Sequence, residues 1–78
     1  METRKMTWGE MAVGLTFNPG NNPDVDACKR EFAVVIDRMQ DLFNQPNQLP
    51  EVQRMAEIAI QNAQTAQMWA VKAITWNK

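Results

Sequence analysis

The segment Gln45-Pro46-Asn47-Gln48-Leu49-Pro50 places two prolines within six residues, between two long stretches of helical periodicity. Proline lacks the amide hydrogen that a helix interior needs, and its ring collides with the preceding turn. A helix arriving at this segment therefore ends, and another starts close behind it. A link this short leaves the second helix only one direction, back along the first. The chain is predicted to be an antiparallel helical hairpin.

Local signals bound the elements. Asn22 before Pro23 reads as an N-cap and first helical position, with Asp24 and Asp26 where the helix dipole favours negative charge. The stripe Val25, Cys28, Phe32, Val35, Ile36, Met39, Leu42 and Phe43 then predicts a helix over about 23–44. At 1.5 Å per residue, it is a rod of about 30 Å. A third helix is predicted over about 51–76. Its apolar residues, from Val52 and Met55 through Ile58 and Ile60 to Met68, Trp69, Val71 and Ile74, wrap most of the circumference. Such width implies two contact faces, one on the preceding helix and one on a neighbouring subunit. Upstream, Met6, Trp8, Met11 and Ala12 fit a short helix over about 3–13, weakened by Gly9 and stopped by a left-handed cap at Gly14. Residues 14–22 read as an irregular loop in which apolar Leu15 and Phe17 are unusual. The fold class is all-α: a short N-terminal helix followed by a two-helix hairpin, one domain over residues 1–78, assembled as a homo-oligomer.

The self-association follows from arithmetic on size. A chain of 78 residues is 45% apolar, more than a two-helix hairpin buries internally, and a domain this short hides only about 60% of its unfolded surface. The surplus apolar surface is expected to meet another copy. The net charge of −1 argues against a grip on long DNA or RNA, yet leaves room for a local cationic pocket around a small anion. One cysteine and no histidine remove disulfide frameworks, most zinc sites and the usual nucleophile pairs. No catalytic set, metal or cofactor is expected. The N-terminus has no apolar run of signal length, and no stretch approaches the ~20 apolar residues of a membrane span, so a cytosolic location is expected.

Few residues remain to carry chemistry. Lys29 and Arg30 follow the Phe17 loop into the second turn of the helix, where a cation can pair with phosphate while Phe17 stacks on a base. Otherwise, they are solvated charges near Asp26, and Phe17 plugs the core. Lys72 is one charge inside an apolar run; it faces an anion or snorkels at the hairpin edge. Trp8, Trp69 and Trp76 stack on bases or anchor an interface. Cys28, on the apolar stripe with no activating partner, belongs to the core. Asp24 and Asp26 face different directions on their helix, which suits the dipole and not a metal.

Gly14-Leu15-Thr16-Phe17-Asn18-Pro19, the capped helix carrying Lys29, and Gln64-Thr65-Ala66-Gln67-Met68-Trp69-Ala70-Val71-Lys72-Ala73-Ile74-Thr75 together resemble the phage anti-CBASS protein 2 family, which shares a hairpin domain with a Thoeris anti-defence sponge. The likeness spans roughly residues 14–76. It implies an oligomeric, typically hexameric, phage protein in the host cytoplasm that sequesters cyclic oligonucleotide second messengers, such as 3′,3′-cyclic GMP-AMP, without cleaving them. The CBASS effector is then never activated. In such proteins a cyclic dinucleotide lies between two subunits, an aromatic residue near the loop stacks on a base, and a lysine of the long helix meets phosphate. The matching positions are Phe17 and Lys29. Relatives carry tyrosine at the aromatic position and a longer segment before the lysine, which leaves Trp8 as the other stacking candidate. Lys72 stands where relatives have a basic residue, and Asn18 either hydrogen-bonds a base or caps a turn. Some members also bind cyclic trinucleotides in threefold pockets whose residues are not mapped onto this chain. Without the resemblance, the residues lead to a structural or protein-interaction hairpin with no nucleotide ligand.

Overall fold

A computed structural model describes residues 5–76. Within them lie three helices and no strand: α1 (Trp8–Ala12), α2 (Pro23–Phe43) and α3 (Pro50–Ile74). The all-α class and the order of one short and two long helices are as expected.

The helix ends follow local hydrogen bonding. Thr7 caps α1 through a reciprocal box: its hydroxyl accepts from Glu10 N at 3.1 Å and its own N–H donates to Glu10 Oε1 at 3.0 Å. This fixes the start at Trp8, so α1 is shorter than the expected 3–13; Lys5 and Met6 precede the cap, and residues 3 and 4 lie outside the described residues. At the other end Gly14 adopts φ +63. Gly14 N–H donates to Met11 O and Leu15 N–H to Glu10 O, the paired bonds of a Schellman cap, which a residue with a side chain adopts only under strain. Asn22 caps α2 by accepting from Asp24 N (2.8 Å) and Val25 N (3.4 Å). Regular helix ends at Phe43 with Asn44 as its cap. The last carbonyls of α2 are met by side chains beyond the break: Gln48 Nε2 donates to Leu42 O and Gln53 Nε2 to Phe43 O. The third helix opens with Pro50 and closes at Ile74, earlier than the expected residue 76. The terminal turn tightens there, with Trp76 N–H reaching back three residues to Ala73 O.

The long helices run antiparallel. Phe43 meets Gln53 beside the break, Ile36 packs with Ile60 midway, and Lys29 and Val25 line one cleft with Val71 and Thr75 at the open end. Val13, Leu15, Ala33, Ile36 and Ile60 form the buried cluster, flanked by Met6, Ala12, Phe32, Met39 and Ala63. Each large aliphatic side chain in it contributes about 1.5–3 kcal/mol on burial. Val35, placed on the stripe by its spacing, is exposed; Ala33 takes the buried position. The Cα trace extends 46 × 35 × 12 Å. Its thinnest dimension holds little more than one layer of helices, so much apolar surface stays open, including Met55, Ile58, Met68 and Trp69 along α3 and Trp76 just beyond it.

Gly9 turns out to be a contact and not a weakness. It is buried, its N–H donates to Asp37 Oδ1 at 2.6 Å, and a Cβ placed on it would overlap the Ala33 carbonyl oxygen. The short helix therefore sits backbone against backbone on α2. Gly9→Ala is expected to destabilise the fold by about 1–3 kcal/mol through overpacking, outweighing the helix propensity of alanine. Thermal unfolding followed by circular dichroism checks this, and a melting temperature equal to or above the unsubstituted protein's would show that α1 does not press on α2 at this point.

Candidate functional site

At the open end of the hairpin the loop from Gly14 to Asn22 folds over the first turns of α2 and the last turns of α3. Its shape is built by short polar links. Phe17 N–H donates to Gly14 O at 2.9 Å and Asn21 N–H to Asn18 O at 2.9 Å. The Asn18 side chain spans the base of the loop, donating to Asn22 O (2.9 Å) and accepting from Asn22 N (3.1 Å). Asn21 completes the reversal at φ +50, which asparagine tolerates better than most side chains. Asn18 is thus a turn staple, with both ends of its amide committed within the loop.

Lys29 reaches this loop from below. It is only 6% exposed, and its ammonium donates to Gly14 O at 2.9 Å and Phe17 O at 2.6 Å. The Phe17 ring centroid lies 5.5 Å from Nζ, within cation–π range. No carboxylate pairs with Lys29 among the described residues. Its charge is therefore met by two carbonyl dipoles and one ring edge or face, and one of its three N–H groups is left over. Arg30 behaves differently: it is exposed and its Nε bonds Asp26 Oδ2 at 2.8 Å across one helical turn. The reading of two solvated neighbours holds for Arg30 and fails for Lys29, whose position on α2 points under the loop. Phe17 does not plug the core either; it is 73% exposed, and Leu15 takes the buried place in the loop.

Around Phe17 and Lys29 opens a cleft of about 650 Å³ lined by loop residues from Asn18 to Asn22, by Asp24 and Val25 of α2, and by Val71 and Thr75 near the end of α3. The volume lies within the range of small-molecule sites. Its one lining cation is Lys29, and its one lining carboxylate is Asp24. Thr75 Oγ1 donates to Val71 O at 2.9 Å, which turns its lone pairs outward as acceptors. Burial pushes the Cys28 thiol up from its ordinary range, the charge of Glu31 raises it further, and Lys29 works the other way; a neutral buried thiol suits a core residue and not a nucleophile.

The structure brings Phe17, Asn18 and Lys29 together and sets Lys72 and Trp8 apart from them. Lys72 is exposed, with its Nζ 5.2 Å from one Trp69 ring centroid and 5.8 Å from that of Trp76. It neither faces a carboxylate among the described residues nor lines the cleft. Trp8 lines a separate groove with Phe43, Ile60 and Gln64. From α3 the cleft takes Val71 and Thr75, which the sequence offered only as part of the segment Gln64–Thr75 and not as individual site residues. Counting outward from the double-proline break reaches them, because the antiparallel register that pairs Phe43 with Gln53 and Ile36 with Ile60 sets Val71 opposite Val25 and Thr75 one turn beyond, beside the loop. No group of three or more histidine, cysteine or acidic side chains is placed to hold a metal among the described residues, and no helix there is long and apolar enough to cross a membrane.

Lys29→Met keeps the apolar stem but strips the loop carbonyls of a charged donor. It is expected to destabilise the fold by about 1–3 kcal/mol and to speed amide hydrogen exchange across residues 14–22. Unchanged exchange in that loop would show that the ammonium does not hold it.

No curated protein and no solved structure matches the chain. The family model described as the Acb2/Tad1 hairpin domain matches residues 10–75. Trp8 and Trp76 fall outside that span. The loop, the Lys29 turn of α2 and the cleft-lining end of α3 fall inside it, and the chain belongs to the Acb2/Tad1 hairpin domain family.

Proposed function

We propose that this protein is a phage anti-defence sponge that binds and sequesters cyclic oligonucleotide second messengers without cleaving them, so that a CBASS effector in the host cytoplasm is not activated. The observation that carries the reading is the pairing of exposed Phe17 with the carboxylate-free ammonium of Lys29 on one cleft. A base stacks on the ring, and a phosphate oxygen takes the remaining N–H of Lys29. Asp24, which also lines the cleft, repels phosphate from its own part of the wall and leaves Lys29 as the lining cation. The family match supports a sponge-type role.

The working form is a homo-oligomer, taken here as a hexamer, with each site closed by a neighbouring subunit. Two features support this. A half-open cleft on a molecule little more than one helix layer thick cannot enclose a dinucleotide alone, and α3 carries exposed Met, Ile and Trp side chains that another copy would cover. Cyclic trinucleotides are a second ligand class on this reading, at a site not assigned to residues. The exposed apolar face of α3 also favours the competing reading of a protein-interaction hairpin, which predicts no nucleotide binding.

Titration calorimetry with 3′,3′-cyclic GMP-AMP, followed by chromatography of ligand released on denaturation, separates the two. Saturable binding at less than one ligand per chain with intact ligand recovered is expected; no heat with any cyclic di- or trinucleotide leaves the interaction hairpin. Phe17→Ala is expected to weaken capture roughly 5- to 150-fold, from about 1–3 kcal/mol per stacked base, with the oligomer mass unchanged by light scattering.

A further inference from the structure

Gln67 is an outlier among the glutamines of the hairpin. Gln48, Gln53 and Gln64 are half-buried, and each donates to a backbone carbonyl. Gln67 is more deeply placed, at 6% exposed, yet its side-chain amide makes no hydrogen bond with another described residue. Among the described residues, no fully sealed side-chain nitrogen or oxygen lacks a partner. The Gln67 amide therefore keeps an opening, and that opening is a groove of about 520 Å³ lined also by Met11, Val13, Gly14, Phe17, Lys29 and Val71. This groove shares Phe17, Lys29 and Val71 with the main cleft.

An amide on so buried a residue, with no protein partner and reached only through this groove, has its donor and acceptor open to whatever fills the groove, whereas leucine or methionine would serve packing there equally well. A ligand there supplies what it lacks. A primary amide offers an acceptor beside a donor at fixed spacing, which complements a base edge carrying an N–H donor beside a ring-nitrogen acceptor, as adenine does. We propose that Gln67 is the specificity-determining residue of the site, its amide reading the donor–acceptor edge of an adenine whose ring is stacked on Phe17. The assignment rests on the reading of the protein as a cyclic-oligonucleotide binder. It divides the work by chemistry: Phe17 takes the face of the base, Lys29 the phosphate, and Gln67 the edge.

The test pairs a change in the protein with a change in the ligand. Titration of the full-length protein and of Gln67→Met uses 3′,3′-cyclic di-AMP and its analogue with purine in place of adenine, which lacks the exocyclic amine. The substitution is expected to lower affinity for cyclic di-AMP roughly 5- to 150-fold and to abolish the preference over the purine analogue. In the unsubstituted protein, the Gln67 side-chain NH₂ resonance is expected to shift on adding cyclic di-AMP and to shift less with the analogue. That readout does not depend on the variant folding. Binding by both proteins with equal affinity and equal discrimination, or a Gln67 resonance unmoved by cyclic di-AMP at saturation, overturns the role of Gln67 and leaves the sponge standing. No binding of any cyclic oligonucleotide by the unsubstituted protein overturns both.

Discussion

The Lys29 ammonium, held under the loop by the carbonyl oxygens of Gly14 and Phe17, fastens the loop to α2 at the hairpin's open end. It ties the exit of α1 to the entry of α2 and leaves the Phe17 ring outside the core. A lysine buried this far would be costly without compensation. Here the compensation is a pair of backbone dipoles, which hold the charge without cancelling it as a carboxylate would. The same contact is structural for the free protein and leaves an electrostatic demand for an anion at the cleft.

The rest of the open end is arranged around that contact. Gly14 accepts both the left-handed turn and the proximity of Nζ, and Asn18 clamps the loop onto the cap of α2. Asn22 then satisfies the first N–H groups of α2. Little of the polar capacity of these asparagines is left over, so the loop acts as a rigid rim. Groups with capacity to spare include Lys29, the lone pairs of Thr75, the side chains of Asn21 and Asp24, and the amide of Gln67. These are few, and on the function proposed above they serve a small ligand with one phosphate and one base edge at each site.

Thinness is the second constraint. Three helices in little more than one layer bury a modest cluster around Ile36 and Ile60 and leave the outer side of α3 apolar and open. The close seat of Gly9 on Ala33 is how so small a domain gains from its shortest helix: the absence of a side chain lets α1 approach until its backbone N–H reaches Asp37. A larger residue would hold α1 away and expose Val13 and Leu15 beneath it.

Periodicity, capping residues and the double-proline break determined the number, order and antiparallel direction of the helices, because these are local or nearly local properties of the chain. The left-handed Gly14, the Asn22 cap and the core position of Cys28 were legible for the same reason. Which side of a helix meets which neighbour is not local. Lys29 and Arg30 are adjacent in sequence and equally charged, yet a rotation of about 100° per residue along the helix buries one under the loop and leaves the other in solvent. Phe17 and Leu15 alternate in one loop, and only packing against α2 decided that the leucine goes in and the phenylalanine stays out. Gly9 read as a weakness until Ala33 stood against it, and nothing in the sequence set Gln67 apart from the other glutamines of α3 before its burial was seen. The chain alone determined an all-helical hairpin with an aromatic and a cation near one loop; only the tertiary structure decided which cation and which aromatic share the cleft and which amide opens into the groove beside it, because that depends on contacts between segments far apart in sequence.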